Sequence, residues 1–256
     1  MKFDYTNNYN SKINIKEFDK NKYNFKSIIK NMFDLYFETD VILEHIEKML
    51  TSEKLSENEK NYYKYIPIFG QNDRESVFVK IFYKYYDSDE TFKNLYYSFI
   101  KDYIKPIFFP SEEYLVLQKT PNIRLHLPNC TNIGKRENDP EGIIGIHQDY
   151  EFGHAEEEIN LILPITKMYD TNSIFFEESI NSNLQYNDYK NLVLNDNQFA
   201  FLYLNKWKHY NKINKTNQSR ISFDIRIIPF SKYKESNKES VTTKTKFNIG
   251  NYFIKL

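Results

Sequence analysis

Arg220-Ile221-Ser222-Phe223-Asp224-Ile225-Arg226-Ile227-Ile228 is the stretch whose reading decides how this chain folds. Polar and apolar residues alternate through it. A period of two puts Arg220, Ser222, Asp224 and Arg226 on one side of an extended strand and Ile221, Phe223, Ile225 and Ile227 on the other. The apolar side needs a core to pack against. The polar side is costly to turn inward unless it serves a ligand.

Working outward from that strand, the texture after Pro110 consists of short apolar or alternating runs broken by Asn, Asp, Gly and Pro. Strands are expected over Tyr114–Gln118, Ile123–Leu127, Ile143–His147, Glu158–Pro164, Ser173–Glu177 and Phe199–Leu204, besides Arg220–Ile228. Many short strands at this spacing point to a sandwich or a closed jelly roll. The polar tail Ser231–Thr245 reads as a loop, and Lys246–Leu256 as an added edge strand.

The first hundred residues read differently. Phe92, Leu95, Tyr96, Phe99, Ile100, Tyr103 and Ile104 recur at three and four, the stripe of an amphipathic helix, with Pro106 expected to close it. Ile28–Leu50 has similar periodicity, and Asn72 or Asp73 is placed to cap a helix reaching toward Tyr86. Ser56 and Glu59 have the spacing of a capping box. The chain therefore reads as mainly β with a helical N-terminal part: residues 1–110 a helical region packing on the core, residues 111–256 the core itself, one compact unit overall.

Composition excludes several classes of function. With 35 basic and 35 acidic residues the formal charge cancels, so no global field favours nucleic acid or an acidic membrane. A single cysteine, Cys130, leaves no intrachain disulfide framework and no cysteine cluster for a metal, and a cytoplasmic setting is the simplest expectation. No long apolar run or signal-peptide core is present, so a soluble protein with a small-molecule substrate is expected. The 22 tyrosines and 21 phenylalanines accompany abundant lysine, asparagine and isoleucine, the pattern of AT-rich coding, and are not read as a binding surface.

His147-Gln148-Asp149 is where chemistry enters. Residues i and i+2 of an extended chain project to one side, so this imidazole and carboxylate can converge on one ion, and His209 supplies a third ligand from another strand. Two histidines and a carboxylate on one face leave three coordination positions open, which suits non-haem Fe(II). The triplet alone is weak, since His45-Ile46-Glu47 and His154-Ala155-Glu156 repeat it. The first falls in an expected helix, where i and i+2 diverge, and reads as a solvated surface pair; the second sits at a strand entrance. The distal half separates His147 from these rivals. Arg220 follows His209 by eleven positions, with Ser222 beside it on the same face, and a guanidinium with a hydroxyl is suited to grip a carboxylate.

The run from Gln118 to Arg226 resembles the 2-oxoglutarate/Fe(II)-dependent oxygenase superfamily, whose pattern is His-x-Asp, a distal His and then Arg-x-Ser on the last core strand. More narrowly, Phe152-Gly153-His154, Glu158-Ile159-Asn160, Pro164-Ile165-Thr166, Glu178-Ser179 and Ser219-Arg220-Ile221-Ser222-Phe223-Asp224 are similar to its streptomycin-biosynthesis-type branch. The resemblance covers roughly the C-terminal half. It implies a double-stranded β-helix, the cupin-like jelly roll. It also implies Fe(II) on His147, Asp149 and His209, 2-oxoglutarate anchored by Arg220 and Ser222, and O2 as cosubstrate. Hydroxylation of a small polar metabolite follows, such as a sugar derivative, an amino acid or a natural-product intermediate.

Around this centre, Asn160 is a candidate for hydrogen bonding to cosubstrate or substrate, and His154 for the substrate mouth or for bracing Asp149. Gln118, Arg124 and His126 are candidates for a polar pocket wall, with solvent-facing strand residues as the competing reading. Arg226 is an alternative carboxylate anchor with Asp224 as its obvious ion-pair partner. Trp207 and Tyr210 are expected to pack around the site, and Cys130 has no local base to make it a nucleophile. Two other functions fit the pattern: a cupin-like metal enzyme without 2-oxoglutarate, and a non-enzymatic ligand-binding β-helix protein. Only an oxygenase needs both the triad and Arg220.

Overall fold

A computed structural model of the chain describes residues 13–61, 76–130, 144–177, 188–240 and 244–256. Expectations that fell on Asn72, Asp73, Ile143, Glu178 and Ser179 lie outside the described residues.

The protein is mainly antiparallel β-sheet with helices against it. Eleven strands are described: β1 Asn14–Glu17, β2 Leu115–Gln118, β3 Asn122–His126, β4 Ile144–His147, β5 Ile159–Pro164, β6 Ile174–Phe176, β7 Lys190–Asn191, β8 Gln198–Leu202, β9 His209–Asn211, β10 Arg220–Pro229 and β11 Phe253–Lys255. The larger sheet has the order β1-β8-β5-β10-β2-β11, with β3 also on β10; the smaller has the order β4-β9-β6-β7. β3, β4, β5 and β6 fall alternately in the larger and smaller sheets, and so do β8, β9 and β10.

The long alternating stretch becomes β10, buried along its whole length. It pairs with β5 along one edge, and along the other with β3 over Arg220–Asp224 and β2 over Ile227–Pro229. Its apolar side meets the helices. Phe223 lies 5.3 Å from Phe82 and 5.1 Å from Phe92, ring centre to ring centre. Ile221, Phe223, Ile225 and Ile227 belong to one continuous apolar core shared with the helical region.

The helices form where the periodicity placed them, with instructive differences. α1, Phe25–Phe37, is capped by Asn24, whose side chain accepts the Ser27 N–H at 3.0 Å, and it buries Phe25, Ile29, Met32, Phe33 and Phe37. It stops at Glu38, which turns left-handed (φ 53°), so Ile28–Leu50 is not one helix; a 3-10 segment, Leu43–Thr51, follows. α2 is Val77–Ser88 and α3 is Glu90–Ser98, capped by Asp89. Pro106 does not end that helix. A π turn, Phe99–Ile104, widens the coil just before the proline, and a last α-turn, Lys105–Phe108, carries Pro106 in its first positions, so the helix runs on through it. The Ser56–Glu59 capping box forms reciprocally: Glu59 accepts the Ser56 N–H at 2.8 Å, and the Ser56 hydroxyl accepts the Glu59 N–H at 3.3 Å. β1 lies inside the region expected to be helical and extends the larger sheet beyond β8. Among the described residues no helix is long and apolar enough to cross a membrane.

His126, placed by sequence on a pocket wall or in solvent, is fully buried and ties β3 to the turn that precedes β6. Its Nδ1 lies 3.2 Å from the Asn172 carbonyl and its Nε2 lies 2.9 Å from that of Cys130. Burial, followed by the charge of neighbouring Arg220, pushes its pKa down to about 3 from 6.5, so the ring is neutral in the folded protein. The Cys130 thiol is buried too, and burial raises its pKa to about 11.

Phe223→Ala should cost about 3–5 kcal/mol in urea unfolding, because it opens a cavity between β10 and the helices; a loss under about 1 kcal/mol would mean that the helices do not depend on this contact. The unfolded chain takes up a proton at His126 below about pH 6.5 that the folded one refuses. Stability should therefore fall as pH drops from there toward 3, with a slope of up to about 1.4 kcal/mol per pH unit from this group. Comparing pH-dependent unfolding of the wild type with His126→Asn isolates that slope, and parallel profiles would remove the assignment.

Candidate metal centre

β4 and β9 are antiparallel neighbours, and their register sets His147 opposite His209. The rings lie 4.2 Å apart, centre to centre. The chain leaves β4 at His147, stays extended through Gln148 and enters a 3-10 turn, Asp149–Phe152. Gln148 fixes this exit by donating to the Lys206 carbonyl. The Asp149 N–H bonds to the Leu204 carbonyl at 2.9 Å, which turns the carboxylate back toward the histidines. Asp149 Oδ1 then lies 3.5 Å from His209 Nε2 and 3.8 Å from His147 Nε2. One ligand atom from each of the three lies within 4.8 Å of the other two, close enough for one ion. The two histidines and one carboxylate fit a transition metal with open positions.

His209 is oriented by its own loop. Its Nδ1 faces the Trp207 carbonyl at 3.1 Å, a contact that puts the proton there and presents the Nε2 lone pair to the centre. Trp207 in turn is buried and stacks on Phe176 at 6.0 Å, as its expected packing role requires.

The second oxygen of Asp149 is engaged elsewhere. Oδ2 accepts from Arg226 Nη2 at 2.6 Å and from Asn160 Nδ2 at 3.1 Å. Arg226 also pairs with Asp224 Oδ2 at 2.5 Å, and Asn160 donates to Asp224 Oδ1 at 3.2 Å. Burial opposes the charge on Asp149, but Arg226 and then His209 outweigh it and hold its carboxyl well below the usual range. Arg226 stays ionised for the matching reason, since Asp224 and Asp149 overcome its burial. Beyond it, Glu158 stands 3.9 Å from Arg226 Nε and 2.8 Å from His154 Nδ1. His154 is thus linked to Asp149 by contact through Glu158 and Arg226, besides acting on it through its charge.

The other candidates fall into two groups. Asn160, Gln118 and His126 are spent within the protein. The Asn160 oxygen accepts the Leu204 N–H at 3.2 Å, while Gln118 accepts the Arg226 N–H at 3.1 Å and donates to the Thr120 carbonyl at 2.7 Å. Each has its hydrogen-bonding atoms turned to neighbouring protein groups rather than to a pocket. Arg220 and Ser222 are buried on the same face of β10 as Arg226, further from the triad along the strand. Arg124 is about one-third exposed, with Nη2 4.0 Å from Asp224. The His45–Glu47 pair is not the solvated pair expected of a helix. His45 breaks the 3-10 run (φ −130°), and Glu47 turns inward to accept from the Ser219 hydroxyl at 2.6 Å.

Sequence reasoning gave Phe152 no role beyond its place in the resemblance and missed Tyr150; both lie in the turn that Asp149 opens. Both are about half exposed, and the Phe152 ring stands 5.2 Å from that of His147.

No family model matches the chain. The streptomycin biosynthesis protein StrG of Streptomyces griseus is 29% identical over 138 residues, 54% of this chain and 58% of that protein, so the match spans little more than half of the relative's length. Among solved structures, a nickel complex of the non-heme monooxygenase ThoJ aligns over 80% of this chain and 69% of its own, at 12% identity and a TM-score of 0.42. HygX from Streptomyces hygroscopicus, with nickel and 2-oxoglutarate bound, aligns over 73% of this chain and 93% of its own, at 9% identity and a TM-score of 0.33. Structural likenesses this slight carry no statement about the present chain.

Proposed function

We propose that the chain is a non-haem Fe(II)- and 2-oxoglutarate-dependent oxygenase that hydroxylates a small polar molecule on a double-stranded β-helix core. One observation carries this reading. His147, Asp149 and His209 converge with a single carboxylate oxygen turned to them, while Arg226 and Asn160 take the other. A carboxylate so divided acts as a one-oxygen ligand, and a facial triad of this kind keeps three positions free. The alternation of successive strands between the two sheets supports the β-helix reading.

Fe(II) would be held by His147, Asp149 and His209. The far carboxylate of 2-oxoglutarate would be held by Arg220 with Ser222 beside it. The choice of Arg220 over Arg226 follows from charge: Arg226 already neutralises Asp149 and Asp224, and drawing it toward a ligand would strand two buried carboxylates. Together the metal and cosubstrate supply oxidative chemistry, in which one O2 is consumed, 2-oxoglutarate becomes succinate and CO2, and a C–H bond of the substrate becomes C–OH. The protein's share is orientation and shielding. The Trp207 carbonyl fixes the His209 ring, Arg226 and Asn160 fix the Asp149 carboxylate, and the apolar core behind β10 excludes water. Phe152, half exposed against His147, would face the substrate, with Arg124 the remaining polar candidate for its recognition.

Anaerobic titration with Fe(II) and then 2-oxoglutarate tests the assignment through the weak visible charge-transfer band of the chelate. The wild type should develop the band, and His147→Ala should abolish it. Arg220→Ala should retain it but require about 10- to 100-fold more 2-oxoglutarate, the loss expected for a charge-assisted carboxylate contact. A wild type without the band, or a band indifferent to both substitutions, would leave a metal protein of another kind.

A further inference from the structure

The 3-10 segment Leu43–Thr51 docks on the large sheet at Ser219, the residue immediately before Arg220. Ser219 is fully buried, and all three of its polar groups are held. Its N–H donates to the Glu44 carbonyl at 2.8 Å, its hydroxyl donates to Glu47 Oε2 at 2.6 Å, and its carbonyl accepts from the Thr166 hydroxyl at 3.0 Å. On the other side of Arg220, the Ile221 N–H donates to the same Thr166 oxygen at 2.8 Å, and the Ile221 carbonyl accepts the Thr166 N–H at 3.2 Å. Arg220 is thus the first residue of β10, clamped between two pinned neighbours.

Strand ends are the places where a sheet opens first, and a residue there holds its position only as well as its flanks do. A guanidinium that must meet a carboxylate with two parallel hydrogen bonds tolerates little displacement. We propose that Glu47, acting through Ser219, is a positioning residue for Arg220, so that the N-terminal helical region sets the affinity of the C-terminal core for the carboxylate of its cosubstrate. This rests on the proposed use of 2-oxoglutarate. It gives the helical region a task beyond covering the sheet. His45, 3.4 Å from Glu47, steadies the carboxylate from the outer side. The bend at His45 lets the segment present both the Glu44 carbonyl and the Glu47 side chain to one residue.

The experiment is a 2-oxoglutarate titration of the full chain loaded anaerobically with Fe(II), read by the charge-transfer band. It compares wild type, Glu47→Ala, Glu47→Gln, Ser219→Ala and the Glu47→Ala/Ser219→Ala double variant. Fe(II) affinity and amide exchange at Ile221 are measured alongside. Glu47→Ala and Ser219→Ala should each weaken 2-oxoglutarate binding by about five- to tenfold, less than the full worth of a hydrogen bond to a charged group because the effect reaches Arg220 only through Ser219. The double variant should be no weaker than either single one, since both remove one interaction. Glu47→Gln, which keeps an acceptor oxygen, should recover most of the affinity. Fe(II) affinity should stay within twofold, and the Ile221 amide should exchange faster in the alanine variants. Unchanged 2-oxoglutarate affinity in Glu47→Ala, additive single effects, or an equal loss of Fe(II) affinity would overturn the inference while the cosubstrate assignment stood. A wild type that binds no 2-oxoglutarate overturns both.

Discussion

The buried ion pair between Arg226 and Asp149 is the constraint on which the rest of the candidate centre depends. Arg226 belongs to β10 in the larger sheet, and Asp149 opens the turn that follows β4 in the smaller one, so the 2.6 Å contact joins the sheets where the ligands gather. Removing either charge from water is expensive, and such a pair is favourable only where its geometry is good and its charges are matched. Here Asp224 faces another arm of the guanidinium, and Asn160 bridges both carboxylates. The consequence is chemical as well as structural. With Oδ2 saturated, Asp149 offers Oδ1 alone to the two histidines, and the carboxylate stays ionised in a buried setting without a metal to hold it so.

How much of this was legible in the sequence depended on whether the signal was local. Alternation through Arg220–Ile228 located the central strand and its two faces, because a period of two needs nothing beyond neighbouring residues. The spacing of His147 and Asp149, with a distal His209, singled out the three residues that the fold brings together. The short strands β1, β7 and β9 left no such trace: two to four residues cannot display a period, and each is specified by the partner strand it adds to. Pro106 misled for a related reason. A proline ends an ordinary helix, but the π turn ahead of it is a property of how Phe99, Ile100 and Ile104 pack, which spacing alone does not encode.

The polar candidates show the same limit from another side. Asn160, Gln118 and His126 were visible as inward-facing polar residues, yet whether such a residue meets a ligand or a protein group depends on contacts far away in sequence. Asn160 finds Leu204 and Asp224, Gln118 finds the backbone of Arg226, and His126 finds the carbonyls of Cys130 and Asn172. Buried polar atoms are nearly always paired. A strand pattern announces that the need exists without saying who meets it. Glu47 is the extreme case. By sequence it belonged to a surface pair, and only the meeting of the N-terminal segment with the first residues of β10 turned it inward.

Arg220 and Arg226 lie on one face of one strand, and nothing in their immediate sequence assigns them different work. The surroundings do. Around Arg226 the fold assembles Asp149 and Asp224 within salt-bridge distance and Glu158 at its edge, so its charge is consumed in holding acidic groups that would otherwise be unstable inside the protein. Beside Arg220 it places His126, a ring whose burial and proximity to that same guanidinium keep it uncharged. The strand therefore carries two guanidiniums in different company, one engaged by buried carboxylates beside the triad and the other beside a neutral imidazole. The apolar side of the same strand, packed on Phe82 and Phe92, keeps both in register.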